Sequence, residues 1–287
     1  MTDARRITEG LGGRWRGRYG VALCPAHDNR RTPALSLSDG RDGRLLVKCH
    51  AGCDPRDVLA ALRGRGLLDG TGRTFAPDPA AEARRRAAET TRREAGTALA
   101  RRILAATEPA AGTLAERYLR ARGLFAPPPP SLRFAPALRH PCGASLPAMV
   151  AAVELAGEAG PVAAHRTWLA EPGRKADATP AKAMLGPCAG GAVRLADGPG
   201  ALIVAEGIET TLALAPLAAA EGARLWAALS APGMASLRLP AGPGALVVAP
   251  DGDAAGMGAA GRLAARARAA GWSARIMAPP GDGRDWA

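Results

Sequence analysis

Three acidic side chains stand where strand ends are expected to converge. Glu206 follows an apolar run in Ala201-Leu-Ile-Val-Ala-Glu206-Gly-Ile-Glu209. Asp251 and Asp253 follow another in Gly244-Ala-Leu-Val-Val-Ala-Pro-Asp251-Gly-Asp253-Ala-Ala-Gly256. Both stretches have one form: a short apolar run, then acids, then glycine, then a helical pattern. That form predicts parallel strands alternating with helices. Open α/β sheets bind ligands in the crevice at the carboxyl ends of their strands, so the three acids are expected to meet there. Two carboxylates about 4 Å apart repel by roughly 4 kcal/mol at an effective dielectric near 20. A hard divalent cation offsets that repulsion. Mg²⁺ takes oxygen ligands, keeps several waters and is completed by substrate phosphates. The glycines let a phosphate chain approach the backbone. The chemistry expected is Mg²⁺-assisted phosphoryl or nucleotidyl transfer. Surface acids at ordinary strand-to-helix loops are the alternative for either stretch alone.

A second constellation lies near the start. Cys24-Pro-Ala-His27 is followed, about 20 residues on, by Cys49-His50-Ala-Gly-Cys53. Two ligand pairs on turns, joined by short strands, make a tetrahedral Zn²⁺ site of the ribbon type. Cys24, His27, Cys49 and Cys53 are the expected ligands. His50 could take the place of Cys49, because His50-x-x-Cys53 is also ligand spacing. A module this small has little core, so the metal would supply folding energy.

A further glycine pattern is a decoy. Gly256-Met-Gly258-Ala-Ala-Gly261 satisfies a dinucleotide-binding fingerprint. That fingerprint needs its first glycine directly after the strand. Here Asp251 and Asp253 intervene and would repel a pyrophosphate.

Around these residues the chain divides into four expected parts. Residues 1–70 form the zinc module, with a hairpin of Ala34–Ser38 and Arg44–Lys48 and a helix capped by Asp54 with Pro55 at its first position. Residues 71–112 are a helical or flexible linker, Ala- and Arg-rich with few large apolar residues. Residues 113–198 open on the capping box Thr113-Leu-Ala-Glu116 and continue as a small mixed α+β subdomain. Residues 199–287 are the parallel α/β module, with a first helix over 210–220. Glu209 falls in that helix's first turn, as a cap-type residue or as part of a metal shell. His165 reads as a packed strand residue. Cys142 and Cys188 read as free thiols.

The composition narrows the function classes. The formal charge of +12 and pI near 10.7 favour a polyanionic partner, nucleic acid before membrane. No stretch approaches about 18 consecutive apolar residues, so no membrane span is expected. Five cysteines at these spacings argue against a disulfide framework, which fits a reducing cytoplasm.

Glu-Gly-Ile-Glu after one strand and Asp-Gly-Asp-Ala-Ala-Gly after another resemble the Toprim domain of primases and topoisomerases. Gly283-Arg284-Asp285-Trp286 resembles the third acidic motif of phage and plasmid Toprim primases. Cys-Pro-Ala-His, Thr32-Pro-Ala-Leu-Ser and Cys-His-Ala-Gly-Cys together resemble the zinc-binding domain of bacterial and phage primases, with Cys-x₃-Cys where Cys-x₂-Cys is usual. The resemblance implies a Rossmann-like parallel sheet binding Mg²⁺ or Mn²⁺ through Glu206, Asp251, Asp253 and Asp285. It implies a structural Zn²⁺, a single-stranded DNA template, nucleoside triphosphates as substrates and a replicative helicase on another chain as a possible partner. Arg166 and Lys182 fall where that family places basic residues near template and nucleotide. Bacterial primases carry an acid where this chain has Thr210. The implied activity is synthesis of short RNA primers. A Toprim nuclease would use the same acids to cut. A non-catalytic single-strand-binding protein would incorporate no nucleotide. A topoisomerase would need a tyrosine nucleophile, for which Tyr19 and Tyr118 are poorly placed.

Overall fold

The computed structural model describes residues 3–28, 32–40, 44–68 and 79–279. The chain is α/β and separates into two compact units, residues 1–81 and 82–287.

In the first unit, α1 (Asp3–Gly10) precedes β1 (Arg14–Trp15), β2 (Gly20–Ala22), β3 (Leu35–Asp39), β4 (Leu45–Cys49) and α2 (Pro55–Gly64). The strands form an antiparallel sheet in sequential order. Leu35 and Leu37 of β3 point inward and meet Ile7 of α1 and Val58 and Leu62 of α2. A Cβ on Gly20 would stand 1.9 Å from Thr8 Oγ1, so only glycine lets β2 lie this close to α1. The Asp54 carboxylate caps α2 by accepting from Arg56 N at 2.7 Å, and Pro55 sits in the first turn.

The second unit holds two sheets. Helix α3 (Pro79–Ala105) leads through β5 (Glu108–Pro109) and α4 (Leu114–Arg120) to a set of strands: β6 (Leu132–Arg139), β7 (Ser145–Val153), β8 (Ala163–Ala170), β9 (Arg174–Lys175) and β10 (Lys182–Leu185). They form an antiparallel sheet in the order β10-β8-β7-β6-β5, with β9 paired to β8. Both faces of this sheet are covered. Ala148, Val150, Ala164 and Trp168 face Ala100 and Leu104 of α3. Met149, Ala151, Ala163 and Leu169 face Tyr118 and Leu119 of α4 and part of the next sheet. The end of α3 is therefore packed, although its alanine-rich sequence shows no apolar stripe.

That next sheet is built from β11 (Val193–Ala196), β12 (Leu202–Ala205), α5 (Ile208–Ala213), α6 (Ala215–Glu221), β13 (Arg224–Ala227), α7 (Ala231–Ser236), β14 (Ala245–Ala249), α8 (Ala254–Ala269) and β15 (Ser273–Ile276). Its order is β11-β13-β12-β14-β15, parallel except for β11. Thus Val193–Ala196, in the segment expected to belong to the small subdomain, forms an edge of this sheet. Leu202, Val204 and Val248 pack on one side with Ala259, Ala260 and Leu263 of α8, while Ile203, Ala205 and Val247 join the core shared with the antiparallel sheet. The single helix expected over 210–220 is two helices meeting at Leu214. Pro216 explains the break, because it supplies no N–H to continue the first helix.

Candidate functional site

Two groups of side chains stand out, one in each unit. In the first, the turn after β2 carries Cys24 and His27, and the end of β4 with its following turn carries Cys49 and Cys53. One ligand atom from each lies within 4.8 Å of the others. His27 Nδ1 is 3.0 Å from Cys53 Sγ and 3.7 Å from Cys49 Sγ. His50 turns away, with Nε2 2.9 Å from Ser36 Oγ, so the ligand at this corner is Cys49. Burial and the neighbouring Cys49 and Cys24 sulfurs push the Cys53 thiol up to about 11. Three thiols this close resist joint ionisation unless a cation joins them. Three sulfurs and one imidazole nitrogen form a donor set that fits Zn²⁺.

In the second unit, β12 and β14 are parallel neighbours in register, Ala205 opposite Ala249. Glu206 and Asp251 therefore leave from adjacent strand ends. The strand next in sequence to β12 lies on its other side, so the winding reverses between β12 and β14, which is where such sheets open a binding crevice. Glu206 is only 9% exposed. Asp253 caps α8, its Oδ1 accepting from Gly256 N at 2.7 Å. A Cβ on Gly256 would lie 2.4 Å from Glu206 Oε1 and 3.2 Å from Asp253 Oδ1. The missing side chain is what lets these acids share one corner. Thr210 Oγ1 stands 3.5 Å from Asp251 Oδ1. Carboxylate oxygens beside a glycine cradle are the donor type that Mg²⁺ or Mn²⁺ takes, but Glu206, Asp251 and Asp253 do not gather their oxygens into one ligand group as the Cys24 cluster does among the described residues.

The crevice is one wall of a cavity of about 480 Å³. Glu206, Asp251 and Leu229 line it from the parallel sheet; His165, Lys182 and Met184 line it from the antiparallel one. Among the described residues Leu229 is the one non-glycine residue with positive φ, at 71°. Its N–H donates to Glu206 O at 2.6 Å. Backbone strain of this kind gathers at functional sites.

Residues 201–287 match the family model for the Toprim domain, and residues 94–195 match a domain of unknown function. These last 87 residues are a Toprim domain. The Aquifex aeolicus primase, in a structure of its zinc-binding and RNA polymerase domains, is 15% identical with a TM-score of 0.40, over 100% of this chain and 81% of that one. A DNA primase domain from Pseudomonas aeruginosa is 18% identical with a TM-score of 0.41, over 67% of this chain and 73% of that one. No curated protein matches the chain.

Within the Toprim domain, Gly256, Gly258 and Gly261 lie inside α8 and form no strand-to-helix phosphate turn. Glu209 is committed to the scaffold. The Tyr118 hydroxyl donates a short hydrogen bond to its Oε1, and Lys175 Nζ lies 4.0 Å from the same atom. Burial opposes ionisation of Glu209, but Tyr118 and the nearby cations prevail and hold its carboxyl below the usual range. Tyr118 is fully buried and its hydroxyl is raised far above its ordinary value, chiefly by burial, which removes it as a nucleophile. Asp285 lies outside the described residues.

The antiparallel sheet supplies Lys182 to the Toprim cavity but withholds Arg166. The guanidinium of Arg166 stacks on Trp168, 5.0 Å from the ring centre, and Nη2 donates to Met184 O at 3.2 Å. It belongs to the face of β8 turned towards α3. The residue that β8 turns into the cavity is His165. His165, Leu229 and Ser230 are lining residues that the sequence patterns did not mark as functional. No helix among the described residues is long and apolar enough to cross a membrane.

Proposed function

We propose that this chain is a DNA primase of phage or plasmid type, synthesising short RNA primers on single-stranded DNA. The observation that carries this reading is the cavity in which Glu206 and Asp251, at a sheet switch point, face Lys182 across space for a nucleotide. The Cys24-His27-Cys49-Cys53 cluster elsewhere in the chain supports a primase over a Toprim nuclease, because its motifs resemble the primase zinc module. The net charge of +12 suits a polyanionic template.

In this reading Glu206, Asp251 and Asp253 provide carboxylate oxygens for Mg²⁺ or Mn²⁺, and Asp285, outside the described residues, is the further acid that the sequence resemblance adds. The ion, when bound, neutralises phosphate charge and lowers the pKa of the attacking 3′-hydroxyl. Gly207 and Gly256 keep side chains out of the space beside the acids. Lys182 offers an ammonium to the triphosphate from the opposite wall, so that the nucleotide is held between positive charge and the acid corner. Arg166 acts indirectly, by fixing β10 through Met184 O. The zinc module and basic surface hold single-stranded template through phosphate contacts that weaken with salt. A replicative helicase on another chain is the expected partner.

Incorporation of labelled nucleoside triphosphates on single-stranded DNA, with and without Mg²⁺ or Mn²⁺, tests the proposal. Asp251→Asn should abolish incorporation while leaving the circular dichroism spectrum unchanged. Normal primer yield from that variant would refute the assignment of the acids.

A further inference from the structure

One polar side chain in the Toprim cavity has no part in the scheme above. His165 is 7% exposed, and its Nδ1 is buried with no hydrogen-bond partner among the described residues. What remains accessible of the ring lines the cavity, together with Lys182, Glu206 and Asp251. Nε2 is therefore the nitrogen that a ligand can reach. A buried N–H without an acceptor is rarer in proteins than a buried acceptor without a donor. The proton consequently belongs on Nε2, with the lone pair of Nδ1 turned inward. The ring is also held neutral. Burial pushes its pKa down to about 4, reinforced by Lys182, Lys175 and Arg166 and opposed by Glu209. The result is an uncharged N–H donor on a rigid strand, flanking an ammonium.

We propose that His165 is a phosphate-binding residue for the incoming nucleotide. Its Nε2–H would donate to a non-bridging phosphate oxygen of the nucleoside triphosphate beside the ammonium of Lys182. The inference rests on the nucleotidyl-transfer reading and adds a contact to it. A neutral donor suits this position: it orients a phosphate without adding a third cation to Lys182 and Lys175. The strand fixes the direction of the bond. Met184 stands opposite His165 in the β8–β10 register, and Lys182 stands two pairs further along, opposite Thr167 on the same face.

The test uses the full chain with ATP and Mg²⁺. Equilibrium binding is measured for the wild type, His165→Phe and His165→Gln. Gln can place an amide N–H near the position of Nε2, whereas Phe keeps the ring and removes the donor. Phe should weaken binding by about tenfold or more, and Gln should recover most of it. In ¹⁵N-histidine spectra of the wild type, His165 should be the neutral Nε2–H tautomer, and that N–H should shift when nucleotide is added. A wild type that binds no nucleotide overturns the nucleotidyl-transfer reading, and this inference with it. Wild-type binding left intact by His165→Phe overturns this inference alone. So does an Nδ1–H tautomer, or a ring signal that nucleotide does not move, whatever the stability of the variants.

Discussion

Gly256→Ala is a sharp test of the acid corner, because helix propensity and the site predict opposite signs. Gly256 lies in the first turns of α8, where alanine should stabilise the helix by up to about 1 kcal/mol. The added Cβ would fall 2.4 Å from Glu206 Oε1 and 2.7 Å from Asp251 O. Glu206 is nearly buried and Asp251 O is backbone, so neither yields freely. Overpacking of this kind costs about 1–3 kcal/mol. Gly261, on the same helix, is the control: a Cβ there meets nothing within 4 Å. Gly261→Ala should therefore raise stability by a few tenths to about 1 kcal/mol. The two alanine variants should differ by roughly 1–3 kcal/mol, or about 2–12 °C in the melting of the second unit. Thermal unfolding by circular dichroism measures that gap, and calorimetric titration with Mg²⁺ measures the site. Gly256→Ala should bind Mg²⁺ more weakly, while Gly261→Ala should bind as the wild type does. Equal melting temperatures together with unchanged Mg²⁺ affinity would refute the argument that Gly256 holds the acids together.

Two further perturbations probe the scaffold. Cys49→Ser should lose bound zinc, measured by elemental analysis, and loosen the first unit. His50→Ala should keep it, since His50 is engaged with Ser36. Tyr118→Phe removes the hydrogen bond that does most to stabilise the Glu209 carboxylate and should cost about 1.5–3 kcal/mol at neutral pH in chemical denaturation. Because the folded pKa of Glu209 lies below its unfolded value, its contribution is present above the unfolded pKa and lost as pH falls through the folded one. Without Tyr118 the folded pKa moves up towards the unfolded one, so the loss should be complete at higher pH and stability curves between pH 3 and 7 should show a smaller acid-side decline in the variant.

The parallel sheet and its acids were legible because they repeat one local pattern. Apolar runs of four or five residues, followed by acid and glycine, specify both the strand and what stands at its end. The expectation that the acids stand at the carboxyl ends of parallel strands followed from that repetition. The packing of α3 did not. Alanine contributes little apolar contrast, so the turn carrying Ala100 and Leu104 resembles the solvated turns before it, and only the grooved face of β7 and β8 distinguishes them. Leu229 was hidden for another reason. Its left-handed backbone is imposed by its hydrogen bond to Glu206 O and the closing of β13 onto α7, a tertiary requirement that a leucine does not advertise.

Two pairs of adjacent residues, Cys49/His50 and Arg166/His165, posed the same question with different outcomes. On a strand, neighbours point to opposite faces, so a choice between them is a choice of parity. In β4, Leu46 and Lys48 are exposed while Leu45, Val47 and Cys49 turn inward. Lys48 alone fixes that parity, since a lysine in so small a sheet must face water, and it places Cys49 among the ligands. β8 carries no such marker. Its residues Ala163, Ala164, Trp168 and Leu169 are all buried, because α3 covers one face and α4 with the Toprim core covers the other. With both faces dry, hydropathy cannot tell which side the cavity is on, and the basic residue was the natural choice. The structure places the guanidinium against Trp168 and the imidazole in the cavity. A doubly covered strand hides its functional parity unless a charge on one face lacks a partner. Here Arg166 had one in Trp168 and Met184 O, so its charge was no guide to the cavity.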